Sequence, residues 1–372
     1  MTRENCFILA GELSGEEHAQ TFLPQLMKHN PHYHFWGVGG EYFKTLGVEI
    51  LYSIKDFSSM GFTDVIKKIS FYKQARKEVI GQVIQRKTQL AILIDFQGFN
   101  MSLLKPLFEQ GVKVLYFVAP QAWAWKSWRT ILLQKYVTKL YCILPFEESW
   151  FKSRGVFQAE PIAHPSFTRL IKHRHITHEN KNYIVWLPGS RKGEISIHWP
   201  LFIDVLAKIR DEFPSLEHVV VTSPAFRELG YEQIKIEGLK YRDSEDLFQV
   251  LDESFLSVAA SGTVTLNCAL LKVPTIVCYR VNLLNAWIFR SFIKYKGFVS
   301  LANLMLNKPI FPELLQENCQ TQLIYLTIKK WLEEPKIRDN IKSELAGLIE
   351  SQKALPESAF NSMNTFFIPL EV

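Results

Sequence analysis

The chain turns on Leu187-Pro188-Gly189-Ser190-Arg191-Lys192-Gly193-Glu194, close to its midpoint. The apolar run Tyr183-Ile184-Val185-Trp186-Leu187 leads into it and reads as a buried strand, and a helical pattern follows from about Ile195 to Phe213. A strand, a glycine-containing loop and a helix together aim free backbone N–H groups and the positive end of the helix dipole at one point. Such a point attracts anions, phosphate above all. Gly189 and Gly193 let the backbone approach a ligand without a Cβ in the way, and Arg191 can pair bidentately with phosphate oxygens. The plain alternative is an ordinary strand-to-helix turn whose Arg and Lys are solvated, because a single glycine loop is a weak motif.

Outward from this stretch the same theme recurs. Upstream, Cys6-Phe7-Ile8-Leu9-Ala10 is a short strand followed by Gly11-Glu12-Leu13-Ser14-Gly15 and a helix, whose start Ser14 and Glu17 mark with capping-box spacing. The runs His34–Val38, Leu90–Ile94, Val114–Val118 and Leu140–Leu144 are further strands, separated by helical patterns such as Leu103–Gln110. Downstream lie His218–Val221, Ser254–Val258 and Thr275–Tyr279. Short continuous apolar strands alternating with helices predict parallel βαβ units. Residues 168–182 carry many Lys, Arg, His and Asn and read as a linker. The expected architecture is therefore α/β, with two Rossmann-like domains over 1–167 and 168–344. A tail, 345–372, with an apolar stretch at 365–370, is expected to rejoin the first domain. Ligands of such sheets gather at the carboxyl ends of the strands, and a pair of them makes a cleft between.

Composition sets the outer limits. A length of 372 residues with 47% hydrophobic and 22% charged side chains suits two or three soluble domains. A net charge of +6 fits an anionic small substrate or an anionic membrane surface and does not argue for nucleic acid. The five cysteines, Cys6, Cys142, Cys268, Cys278 and Cys319, form no CxxC pair and read as buried free thiols. Five apolar residues before Gly11 are too few for a signal-peptide core. No window reaches the roughly 18 uncharged apolar residues of a membrane span, so a cytoplasmic protein is expected. There is no Walker motif, no GxGxxG and no HExxH or Cys/His cluster, so neither a cofactor nor a metal is expected.

Asp95 ends the strand Leu90–Ile94, where a carboxylate projects beyond the sheet and apolar neighbours could raise its proton affinity toward base function. The alternative is a turn Asp. Pro120-Gln121-Ala122-Trp123-Ala124-Trp125-Lys126-Ser127-Trp128-Arg129 sets three tryptophans and two cations after a strand, as a sugar or acyl site or a membrane interface would; core packing is the competing use. Ala260-Ser261-Gly262-Thr263-Val264-Thr265 opens a helix and forms a second phosphate cradle, with hydroxyls at Ser261, Thr263 and Thr265. Two cradles in one domain suit a nucleoside diphosphate. The stretches Val65–Lys87 and Leu283–Phe298 mix aromatics with Lys and Arg, as membrane-surface helices or as core helices with a basic outer face.

Taken together these motifs resemble lipid-A-disaccharide synthase. The resemblance is carried by Gly11-Glu12-Leu13-Ser14-Gly15, Met60-Gly61, Asp95 with Phe99-Asn100, the tryptophan-rich loop, Pro145-Phe146-Glu147, His164-Pro165, Leu187–Arg191, Ser261-Gly262-Thr263, Tyr279-Arg280 and Asn303-Leu304. It implies a glycosyltransferase B-type fold and metal-free, inverting transfer of 2,3-diacylglucosamine from UDP to 2,3-diacylglucosamine 1-phosphate. By resemblance Asp95 is the base. Ser190, Arg191, Ser261, Gly262, Thr263, Arg280 and Asn303 face the UDP donor, and Gly11, Glu12, Ser14, Met60, Asn100 and Gln121 line the cleft. The implied partners are the two acylated sugars and the cytoplasmic face of the inner membrane, peripherally, with a homodimer as the candidate assembly. Three positions depart from the family: Gly98 where a second Asp is usual, Asn267 where Glu is common, and Ala163 where Gly precedes His-Pro. A UDP-sugar transferase or epimerase acting on non-acylated sugars and an inactive UDP-lipid binder are the alternatives.

Overall fold

The computed structural model of the chain describes residues 4–57, 68–173, 183–234, 236–281, 297–356 and 358–367. It divides into two compact units, Met1–Thr168 with Leu355–Val372, and Arg169–Ala354. Met60, Gly61, positions 65–67, 174–182, most of Leu283–Phe298 and 368–370, all singled out in the sequence, lie outside the described residues.

The first unit holds seven parallel strands: β1 (Glu4–Ala10), β2 (Tyr33–Gly39), β3 (Glu49–Ser53), β4 (Leu90–Ile94), β5 (Lys113–Phe117), β6 (Lys139–Cys142) and β7 (Ala159–Pro161). Their order is β3-β2-β1-β4-β5-β6-β7. The second unit repeats the plan with six: β8 (Tyr183–Leu187), β9 (Glu217–Thr222), β10 (Leu239–Asp243), β11 (Leu256–Ala260), β12 (Thr275–Tyr279) and β13 (Glu313–Leu315), in the order β10-β9-β8-β11-β12-β13. In both, the chain builds outward from its first strand, then crosses to the other side. The crossing leaves a switch point, between β1 and β4 in one sheet and between β8 and β11 in the other.

Burial explains which strands the sequence displays. β4, β8 and β11 are buried at every position because helices cover both faces of a central parallel strand. Edge strands β3 and β10 are buried at no position, and their mixed polarity hides them from pattern reading. In the first unit Phe7, Trp36, Leu104 and Tyr116 belong to one core; Val185, Val219 and Leu251 belong to that of the second. All five cysteines are free and buried.

Two boundaries differ from the sequence reading. The basic stretch from 168 begins inside a helix, Pro165–His173, which buries Phe167 and Leu170 and so is not linker at its start. The tail returns to the first unit at Leu355 rather than at 345, because helix Pro335–Lys353 buries Leu345 and Leu348 in the second unit. Beyond it, Asn364 accepts a hydrogen bond from Asn30 (2.8 Å) and Phe367, fully buried, stacks on Phe35. The described part of Val65–Lys87 packs as a core helix, Ile69–Gln85, burying Ala75, Val79 and Val83. Phe71 and Tyr72, both half-buried, join Phe57 and Phe99 in an aromatic cluster.

Candidate active site

The loops after β1 and β4 flank the first switch point, and between them they carry most of the residues expected in this unit. Gly11 follows β1 with the Phe96 ring so close that an added Cβ would lie 2.4 Å from it. Helix Leu13–Ala19 begins with Glu12 as its N-cap, which has extended backbone and no side-chain cap bond. Ser14 therefore sits within the first turn instead of capping it, since Glu12, two positions earlier, already holds the extended conformation that a cap requires.

Asp95 leaves β4 with φ +48°, and Phe96 follows at φ +35°. Both are left-handed values that non-glycine residues rarely adopt, costing about 1–3 kcal/mol each. The surroundings hold the turn in place. Asn100, fully buried, donates to the carbonyls of Ile94 (3.3 Å) and Asp95 (2.8 Å). The Tyr116 hydroxyl donates to the same Asp95 carbonyl at 2.9 Å, and burial raises its proton affinity so that it stays a neutral donor. Asp95 N–H donates to Phe117 O at 2.9 Å. At about 1 kcal/mol net per bond, these contacts are comparable with the strain. The side chain of Asp95 remains half-exposed. Asn100, expected to line the cleft, supports the backbone of Asp95 in this structure.

The tryptophan-rich loop follows β5, again through a left-handed residue, Val118 (φ +67°). Gln121 is exposed. Trp123 is tied down: its indole N–H donates to Glu147 Oε1 (3.0 Å), while Oε2 accepts from Ile143 N and Leu144 N, both at 3.1 Å. Burial pushes the Glu147 carboxyl up to about 7 against the pull of these three donors, and the Asp95 charge pushes the same way. Arg129 is buried, donates to Gln97 at 2.7 Å and lies 5.2 Å from the Trp125 ring centroid. Glu16, also buried, accepts from Gly40 N (2.6 Å) and Phe43 N (3.0 Å) and fixes the turn after β2. Gly98 is exposed with open space around it.

In the second unit both expected cradles flank the switch point, one after β8 and one after β11. Gly189 has φ +119°, and a Cβ there would lie 2.9 Å from Glu194, so glycine is required twice over. Arg191 is the N-cap of helix Lys192–Glu212. Glu194, at that helix's third position, reaches back to Ser190 N–H (3.3 Å) and the Arg191 guanidinium (3.0 Å). Ser190 and Arg191 are exposed. Helix Thr263–Leu270 opens behind Ser261 and Gly262. Gly262 is exposed and Thr263 half-exposed, while the fully buried Thr265 donates its hydroxyl to Gly262 O at 2.8 Å and is unavailable to a ligand. The Ser261 hydroxyl lies 3.5 Å from Val299 O. Arg280, just beyond β12, is exposed. Asn303, expected at the donor, is fully buried, and its amide is engaged by Phe311 N, Phe311 O and Glu313. Among the described residues no group of His, Cys, Asp and Glu could hold a metal ion, and no helix is long and apolar enough to cross a membrane.

The sequence reading gave no role to Glu16, His198 or Glu313, and named Glu147 only as part of Pro145-Phe146-Glu147. Each has one partner that no local spacing marks: Gly40 for Glu16, Trp123 for Glu147, Arg280 for His198 and Asn303 for Glu313.

Known proteins share this plan. A UDP-GlcNAc 2-epimerase from Neisseria meningitidis, solved bound to UDP-GlcNAc, superposes with a TM-score of 0.60 at 11% identity, over 94% of this chain and 99% of that one. The spinosyn rhamnosyltransferase gives the same TM-score and identity over 98% and 99%. At such identity the likeness shows the fold alone, two Rossmann-like domains of the glycosyltransferase B type. Among curated proteins, the lipid-A-disaccharide synthase of Myxococcus xanthus is 33% identical over 87% of both chains. That of Acidobacterium capsulatum is 32% identical over 92% of this chain and 90% of its own. The family model described as lipid-A-disaccharide synthetase matches residues 6–361. The chain belongs to the lipid-A-disaccharide synthetase family.

Proposed function

We propose that the protein transfers 2,3-diacylglucosamine from its UDP conjugate to the 6-hydroxyl of 2,3-diacylglucosamine 1-phosphate, with inversion. Family membership makes it a glycosyltransferase that forms the lipid A disaccharide; residue roles and stereochemistry are our reading. Asp95 takes the proton of the acceptor hydroxyl as its oxygen bonds to the donor's anomeric carbon. The bond from that carbon to the β-phosphate breaks, and its electron pair leaves with UDP. The developing charge on UDP falls to Arg191, Arg280 and the N–H groups of the two loops, which are fixed before reaction. The observation that carries this reading is the placement of Asp95: a half-exposed carboxylate on a strained turn whose backbone is fastened by Asn100, Tyr116 and Phe117. A base must stand within hydrogen-bond reach of its proton, and an anchored backbone serves that need.

Contact with the cytoplasmic face of the inner membrane belongs to the same proposal. It is supported by Trp128 and Ile131, which are 55% and 64% exposed and have the exposed Lys126 and Lys135 near them in the chain. The test is to incubate the purified protein with the acylated donor and acceptor in detergent and weigh the products. A tetraacyl disaccharide 1-phosphate and UDP in equal amounts are expected. UDP release from plain UDP-N-acetylglucosamine, with none from the acylated donor, would replace this reading with action on non-acylated sugars.

A further inference from the structure

His198 lies on helix Lys192–Glu212, one turn beyond Glu194, and is 1% exposed. Its two ring nitrogens have different partners. Nδ1 is 2.9 Å from the carbonyl of Glu194, and Nε2 is 3.1 Å from the backbone N–H of Arg280. A carbonyl can only accept and an N–H can only donate, so the ring is the neutral tautomer with its proton on Nδ1 and its Nε2 lone pair facing Arg280. The helix that starts at the Ser190–Arg191 turn is thereby fastened to the residue that leaves β12. Glu194 continues the link, because its carboxylate holds Ser190 N–H and Arg191. The Phe202 ring, 6.0 Å away, packs beside the imidazole.

We propose that His198 is a positioning residue for the donor: its Nε2 holds the Arg280 backbone so that Arg191 and Arg280 address one diphosphate. This deepens the proposed function and rests on its assignment of Arg191 and Arg280 to the donor's phosphates. Protonation of Nε2 would turn the acceptor into a second donor facing Arg280 N–H and break the link. The charged groups that face the ring are Glu194 on its own helix, which favours protonation, and Arg280 beyond β12, which opposes it. Burial opposes it most, and the net effect holds the imidazole below its usual value, so the link is intact at neutral pH.

The test is calorimetric titration of UDP into the full-length protein and its R280A, H198N and H198Q variants. An Asn at 198 can still donate to Glu194 O but falls short of Arg280, whereas a Gln can place its carbonyl oxygen where Nε2 was. R280A and H198N should each weaken UDP about tenfold, as loss of one well-placed bond does, and H198Q should recover most of that loss. In turnover assays the H198N defect should fall on the donor KM, with kcat largely kept. Between about pH 7.5 and 5 the wild type should lose UDP affinity relative to H198Q, which shares every other titration. Wild-type affinity in H198N beside a weakened R280A overturns the role of His198. Equal losses in H198N and H198Q also overturn it, showing that packing and not the Nε2 acceptor is what counts. An undiminished R280A overturns the donor assignment of Arg280 and this role with it.

Discussion

The two switch points are built on one plan and finished in opposite ways. After β4 the chain enters a left-handed turn with Asp95 and Phe96, and buried side chains, Asn100 and Tyr116, pin it. After β8 the awkward backbone falls to Gly189, and the residues that follow, Ser190 and Arg191, are exposed, with Glu194 accepting from Ser190 N–H and from the Arg191 guanidinium. On the proposed reading, proton abstraction by Asp95 needs one atom in one place, which the pinned first loop suits. Anion binding would need several N–H groups and a cation that tolerate small displacements, which the exposed second loop suits. The difference teaches that a loop's stiffness follows the chemistry asked of it.

The comparison breaks most visibly if Asp95 is dispensable. D95N should lower the transfer rate by about 10²–10⁴-fold while leaving UDP affinity in the wild-type range; initial rates beside UDP calorimetry check both halves. Next comes the buried carboxyl of the rigid side. Glu147 titrates at about 7 when folded against 4.5 as a free side chain, so the folded state keeps a proton that the unfolded chain releases. Its contribution to stability is therefore present below about pH 4.5, declines as pH rises to about 7 and is flat above, a swing of about 3 kcal/mol. Denaturant melts of the wild type across this range should show that decline more steeply than E147Q. On the open side, R191A should remove a charge-assisted contact of about 1.5–3 kcal/mol from the bound donor, read as a rise in donor KM with the fold unchanged. The smallest effect is expected for G98D. Its site is open and lies in the first turn of helix Gln97–Glu109, so stability should shift by less than about 1 kcal/mol, toward greater stability. A large loss there would mean that the first loop is more crowded than described.

Central strands, and the turns after β8 and β11, were legible in the sequence because their signals are local: continuous apolar runs, and glycines next to hydroxyl and basic residues. The position of Asp95 at the end of Leu90–Ile94 was legible for the same reason. Edge strands β3, β7, β10 and β13 were not, since an edge needs no continuous apolar run and can be as short as three residues. Nor was the inner scaffolding of the sites. Glu16 is bound to Gly40 and Phe43, Glu147 to Trp123, His198 to Arg280 and Glu313 to Asn303. The fold brings each pair together from positions 10 to 82 residues apart in the chain. Asn303 and Asn100, motif residues expected at the ligand, are buried here and hydrogen-bond to neighbouring backbone and to Glu313.

The return of the tail has a consequence for how the protein is made. Residues 355–367 contribute Phe360, Met363 and Phe367 to the core of the first unit, each worth about 1.5–3 kcal/mol when buried. On a ribosome delivering the chain from its N-terminus, the β1–β7 half waits, unfinished, while the whole of 169–354 is synthesised and can fold. The half that emerges first is thus the last to close, and it must keep an apolar gap in its flank covered, by itself or by a chaperone, until residues 355–367 have emerged.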